Sequence, residues 1–259
     1  AWGLPCSRRA PRFPAFTSRF ASPGDLPFLA PPHVSGATIP RPALEEAAAG
    51  IGDISMNPAA DSPVVRAIPL FLSDGHQLYP SLSMEALRVA QGASTYLIKS
   101  SGASGEESFG QSTGIVSITT GDVLVPTDDR GRITLWDTGH HERRFISAKT
   151  VLANQVPAGE LEGRIVLVGT SATGLKDIRN TPIQQSVPGV EIHAQLLEQM
   201  IEQKFLARPD WSHGAELLYL AAVGLLFAFL LPRLSAAKTA VVAVVFIGAF
   251  AVNAVTGAH

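Results

Sequence analysis

Residues Leu161–Arg208 read LEGRIVLVGTSATGLKDIRNTPIQQSVPGVEIHAQLLEQMIEQKFLAR, and the order of patterns within them sets the architecture. Arg164–Gly169 (RIVLVG) is an apolar run between two glycines, Gly163 and Gly169. Short apolar runs rich in β-branched residues suit a strand buried on both faces, in the middle of a sheet. Gly189–Gln203 then carries Val190, Ala194, Leu197 and Ile201 on one stripe of a 3.6-residue period. That spacing predicts an amphipathic helix with this stripe inward. A strand, a glycine-containing loop and a helix in succession predict an α/β domain built on a mixed sheet.

The upstream sequence supports the same class. Pro42–Ala49 predicts a short helix, with proline in its first turn and Gly50 as its stop. Val64–Phe71 predicts a strand and Asp74-Gly75 a turn. Ser81–Ala90 predicts a helix with Leu82, Ala86 and Val89 on its inner face. Tyr96–Lys99 predicts a strand, and Ser100–Ser112, rich in Gly and Ser, a surface loop. Gly114–Val125 predicts a hairpin with Thr120-Gly121-Asp122 at its tip. Arg132–Trp136 reads as a strand and Ile146–Asn154 as a helix. Residues 1–36 hold seven prolines and four arginines, with no continuous apolar stretch of the kind a signal peptide needs. Proline blocks helix interiors and central strands, so this segment is expected to be an irregular arm. The folded lobe then covers residues 37–208.

The C-terminal part has a different composition. Leu217–Leu231 is uncharged, and residues 215–231 reach the lower end of the ~17–25 residues that span a hydrocarbon core. Thr239–Val255 is a second uncharged run, and residues 232–238 between them contain Arg233 and Lys238. Trp211 and Tyr219 fall where an interfacial aromatic belt would sit. The pair predicts a helical hairpin through a lipid bilayer, because a helix bonds all its backbone groups internally. Lys204 and Arg208 balance Arg233 and Lys238 in number, so charge alone does not orient the hairpin. A folded domain's own basic residues weigh less, which assigns the 232–238 loop to the cytoplasmic side. The chain as a whole has 46% apolar and only 16% charged residues, with a mean hydropathy of +0.21. A net charge of −2 argues against nucleic acid as a partner. A single cysteine, Cys6, excludes an intrachain disulfide and a thiolate zinc cage.

Catalytic patterns fail on inspection. A phosphate-binding loop needs Gly-Lys-Ser/Thr, but Gly174 is followed by Leu175-Lys176-Asp177. A nucleophile elbow needs Gly-x-Ser-x-Gly, and Ser171 has Thr173 in place of the second glycine. His140-His141-Glu142 reads as a solvated turn, since adjacent side chains in extended backbone point apart and chelate poorly. Asp128-Asp129 lacks the spaced ligands of a calcium loop. No catalytic residue, metal site or cofactor is expected. Open α/β sheets hold ligands beyond their strand ends. The loops at 170–182 and 184–189 therefore offer Asp177, Thr181, Glu191 and His193 as candidates for binding a small-molecule or ionic signal. The alternative is structural: Asp177 capping a turn, Thr181 bonding backbone, His193 packing.

The elements GRIVLVG, Gly174, Asp177, Thr181-Pro182 and Pro188–Ala194 (PGVEIHA), in this order and spacing, resemble the end of the type two CHASE domain, the cyclase- and histidine-kinase-associated sensory extracellular module. Val65-Arg66, Pro69-Leu70 and Tyr79-Pro80-Ser81-Leu82 are similar to its upstream part. The resemblance covers roughly Pro40–Arg208. Residues 1–36 show no counterpart of the family's first membrane helix or of the start of its sensor domain. The family's third span and output domain have no match within these residues. The resemblance implies the input half of a bacterial receptor, truncated at both ends and multi-pass in the inner membrane, with its sensor outside the cytoplasm. It also implies no catalysis by this chain, and homodimerisation, because paired output enzymes act as dimers. The alternative is a fragment of a membrane-bound adenylate or guanylate cyclase with its catalytic domain beyond His259.

Overall fold

The computed structural model describes residues 19–22, 31–56, 63–100, 114–171, 177–206, 212–230 and 233. The chain divides into two compact units, residues 1–107 with 112–208, and residues 108–111 with 209–259.

The first unit is mixed α and β. Its largest sheet contains β1 (Arg19–Ala21), β5 (Thr95–Ser100), β6 (Ile115–Thr120) and β7 (Val123–Pro126), in the order β1-β5-β6-β7. β5 alternates cleanly, with Tyr96, Ile98 and Ser100 inward and Leu97 and Lys99 outward. The β6–β7 hairpin turns at Gly121, whose φ of +53° suits glycine. β5–β6 and β6–β7 are antiparallel and β1–β5 is parallel, so the sheet is mixed as expected.

β1 corrects the reading of residues 1–36 as irregular throughout. Phe20 leaves water by stacking on Tyr96 (centroids 5.5 Å apart) and meeting Phe71 edge-on at 5.6 Å. That aromatic cluster holds the strand against β5 in spite of the surrounding prolines.

Two further two-stranded ribbons form: β2 (Ala67–Pro69) with β8 (Arg132–Thr134), and β3 (Phe71–Ser73) with β4 (Leu78–Pro80). The expected Val64–Phe71 strand is thus broken at Leu70. Its N–H donates to the Gly131 carbonyl at 3.0 Å, and its carbonyl accepts from Ser81 at 2.8 Å, so one residue joins two neighbours.

Helix α2 (Leu82–Ala90) starts at Ser81, whose hydroxyl accepts from the Met84 N–H at 3.3 Å. Its inner face is Ser83, Met84, Glu85, Leu87 and Arg88, and Val89 points to solvent. This rotates the face expected from Leu82, Ala86 and Val89. Glu85 and Arg88 can be buried because each carries its partner with it. The Arg88 guanidinium grips Glu85 at 2.6 and 3.0 Å, and the Tyr96 hydroxyl donates to the same carboxylate at 2.5 Å. The short helices α1 (Pro42–Ala47) and α3 (Ala148–Leu152) bury no residue.

A larger correction concerns Arg164–Gly169. It is not a strand, and Val168 is 92% exposed. Leu167 alone of the run packs against the core, partly buried. An apolar run becomes a central strand only with a ladder on each side, and this one pairs with no strand among the described residues.

β9 (Ile178–Arg179) and β10 (Val187–Pro188) pair antiparallel and lead into α4 (Gly189–Ile201). The α4 residues in the core are Ile192, Leu196, Leu197 and Met200, so of the expected Val190–Ala194–Leu197–Ile201 stripe only Leu197 enters it. Ile201 is exposed. The apolar stripe is displaced because polar α4 residues find partners on a second buried side.

In the second unit the first apolar run forms α5 (Ser212–Leu230). At 1.5 Å per residue its nineteen residues extend about 28 Å. Glu216 leaves only the portion from Leu217 uncharged. Among the described residues no helix is long and apolar enough to cross a membrane. The expected second span, 239–255, lies outside the described residues.

Candidate functional site

The start of α4 is fixed by glycine. The Gly189 N–H donates to the Asp177 carbonyl at 2.9 Å, and a Cβ on Gly189 would collide with the Asp177 carboxylate. Asp177 therefore lies beside the N-terminus of α4, where exposed N–H groups and the helix dipole favour negative charge.

From there α4 presents three sides. Ile192, Leu196 and Met200 enter the core. Glu191, Gln195 and Gln199, four residues apart, face the segment 134–144. The Glu191 carboxylate meets His140 Nδ1 at 3.0 and 3.1 Å. Gln195 Nε2 donates to the Gly139 carbonyl at 3.3 Å. Gln199 donates to the Thr134 carbonyl and accepts from the Trp136 N–H, both at 2.9 Å. Arg144 closes this side by bonding Glu198 at 2.5 Å and Thr138 Oγ1 at 3.0 Å. The residues His140–Arg144 line a concavity of about 600 Å³.

His193 takes the third side. Its Nδ1 is 2.9 Å from Ser83 Oγ on α2, and the ring is buried beside the Ile54 backbone. Burial pulls its pKa below the usual imidazole value, against smaller opposing effects of the Ile54 backbone and the Asp177 charge. The Ser83–His193 pair has the spacing of a nucleophile and base, but Ser83 is fully buried. No substrate reaches it, and the pair braces α2 against α4.

The four residues expected to share one crevice are thus spread over several surroundings. Asp177 stands beside α4, Glu191 faces 134–144 and His193 faces α2. Thr181 braces its own turn, where its N–H and hydroxyl donate to the Gln184 carbonyl at 2.8 and 3.3 Å. His140, expected in a solvated turn, instead holds Glu191 and packs on Phe145 with centroids 4.8 Å apart. Sequence reasoning missed Gln195, Gln199 and Asp137. The polar i, i+4, i+8 stripe of Glu191, Gln195 and Gln199 was the signal that could have found the first two. No group of three or more metal-ligating side chains occurs among the described residues.

A family model, the CHASE2 domain, matches residues 9–247. The chain belongs to this family. The family comprises extracellular sensory domains of signalling receptors, and it is sensory rather than catalytic. The match begins upstream of Pro40 and ends beyond Arg208, so it corrects the narrower bounds read from the motifs. It takes in most of the Pro/Arg-rich arm, the first apolar run and part of the second. No curated protein and no solved structure matches the chain.

Proposed function

We infer that the chain is the membrane-anchored input region of a bacterial signal-transduction receptor. Its lobe binds a small-molecule or ionic signal outside the cytoplasm. Residues 215–231 and 239–255 form a helical hairpin in the inner membrane, and an output domain beyond this chain receives the signal. The observation that carries this reading is the CHASE2 match, which runs from the lobe into both apolar runs.

A receptor transmits when its ligand prefers one of two states. The α4 helix suits that role, because its partners are polar and reversible on one side and apolar on another. Ten residues separate its end at Ile201 from the start of α5 at Ser212. A ligand that repacks 134–144 on α4 would shift the chain entering the membrane. Of the four candidates, Glu191 and Asp177 contact the signal, while Thr181 and His193 hold the frame. The receptor acts as a homodimer.

The second reading is a nucleotide cyclase whose catalytic domain lies after His259, for which the family's sensory role is the supporting observation. Translating the reading frame past His259 tests both. A cyclase pattern there supports the second reading, and a histidine kinase pattern the first. A stop codon directly after the second apolar run contradicts an output domain of either kind.

A further inference from the structure

His193 is buried where α4 packs on α2, with 3% of its surface exposed. Two contacts tie it to Ser83. The Ser83 hydroxyl donates to the His193 carbonyl at 3.2 Å, and its oxygen stands 2.9 Å from Nδ1. A hydroxyl has one hydrogen. With that hydrogen on the carbonyl, Nδ1 carries the ring proton and donates to Ser83 Oγ. The basic atom of the neutral ring is then Nε2.

A second proton gives the ring a charge that its surroundings do not neutralise. Glu85 on α2 is already held by Arg88 and Tyr96. Asp53, next to Ile54, accepts from the Ser55 N–H and hydroxyl at 2.8 and 3.0 Å. On the far side of α4, Glu191 is held by His140, Glu198 by Arg144, and Asp137 accepts from the Gly139 N–H at 3.0 Å. Burial favours the neutral ring, and the opposing effects of the Ile54 backbone and the Asp177 charge are smaller. An imidazolium here is a buried charge with no carboxylate hydrogen-bonded to it among the described residues, and opening to water relieves such a charge.

The 134–144 side of α4 answers a proton in the opposite sense. His140 is 47% exposed, and its protonation turns the contact with Glu191 into an ion pair. Acid therefore loosens α4 from α2 and keeps it on 134–144. Ile192, Leu196 and Met200 limit the movement to a shift, because full separation would expose them.

We propose that protonation of His193 releases α4 from α2, and that acid outside the cytoplasm is thereby a second input to the receptor. This goes beyond the sensory reading and rests on it for where the shift leads: the ligand acts on the 134–144 side of α4 and the proton on the α2 side.

The test is the distance between nitroxide labels on Val89→Cys in α2 and Ile201→Cys in α4, both exposed positions, in a full chain carrying Cys6→Ser. It is read by pulsed electron paramagnetic resonance in detergent micelles from pH 7 to pH 5. The mean distance should change reversibly by about 1–2 Å, the size of a helix shift. The midpoint should lie below about pH 6.5, with helical circular dichroism unchanged. His193→Gln, which offers a donor and an acceptor but does not titrate, should keep its pH 7 distance at pH 5. Asp177→Asn removes the charge that favours the imidazolium and should move the midpoint to lower pH, which decides the matter if His193→Gln does not fold. A distance that does not change, a response retained in His193→Gln, a midpoint in Asp177→Asn at or above that of the parent, or loss of helix over the same range overturns the proposal. Any of these leaves the sensory reading standing. That reading is tested apart, by offering an impermeant maleimide to the Ile201→Cys thiol outside spheroplasts: no labelling there removes the sensory reading and with it acid as an input, whatever the purified chain does.

Discussion

His140 reaches across 51 residues of chain to hold Glu191, with Nδ1 at 3.0 and 3.1 Å from the two carboxylate oxygens. The two side chains differ sharply in exposure, 47% for His140 and 1% for Glu191. A buried carboxylate is thus satisfied by a ring that solvent can reach. Truncating His140 to alanine leaves Glu191 buried without that partner, at a cost of about 1–3 kcal/mol. The double variant His140→Ala/Glu191→Gln should recover part of the loss, with a coupling of about 0.5–3 kcal/mol. Urea unfolding of the four proteins, followed by tryptophan fluorescence, measures it. Additive losses would show that the contact carries no energy.

The Glu85–Arg88–Tyr96 cluster gives a second prediction. Glu85→Ala strands the Arg88 guanidinium inside the lobe, and breaking a buried pair from one side costs about 3–5 kcal/mol. Tyr96→Phe removes one hydrogen bond to a charged group, about 1.5–3 kcal/mol. The order of the two urea midpoints is the check, with Glu85→Ala lower.

Gly189→Ala tests the entry to α4. The new methyl meets the Asp177 carboxylate, and overpacking of this kind costs about 1–3 kcal/mol. Asp177→Ala removes the obstacle, so the double variant should be more stable than Gly189→Ala alone. A double variant no better than the single one would place the strain elsewhere.

His193 sets a pH dependence. Its native pKa lies below the unfolded value of about 6.5, so between the two values the unfolded chain binds more protons. Its contribution to stability is complete above about pH 6.5 and is lost as pH falls through that value toward the lower native pKa. The denaturation midpoint should therefore drop between pH 7 and pH 5, and His193→Gln should flatten that part of the profile. An unchanged profile in the variant would assign the drop to other groups.

The sequence made some of this legible and hid the rest for identifiable reasons. The β6–β7 hairpin was legible because Gly121 marks a turn between β-branched runs. The existence of α2 and α4 was legible from capping and periodicity, but their inner faces were not. Periodicity counts apolar residues, whereas these helices also bury Glu85 and Arg88 as a pair within α2, and Glu191, His193, Gln195 and Gln199 with partners distant in sequence. Arg164–Gly169 has the composition of a central strand, but composition cannot supply the neighbouring ladder. Asp137 and His140 were hidden for the same reason as the helix faces: the loop that carries them acquires its role only from the side of α4 it meets.

The account stands or falls on which side of the membrane the lobe occupies. A chain carrying Cys6→Ser and Ser147→Cys has its only thiol at an exposed position of the lobe. A membrane-impermeant maleimide added to intact bacterial spheroplasts should label that thiol, and the labelled chain should stay in the membrane pellet after alkaline carbonate. Labelling that appears only after lysis, with the chain in the soluble fraction, would contradict a membrane-anchored extracytoplasmic sensor.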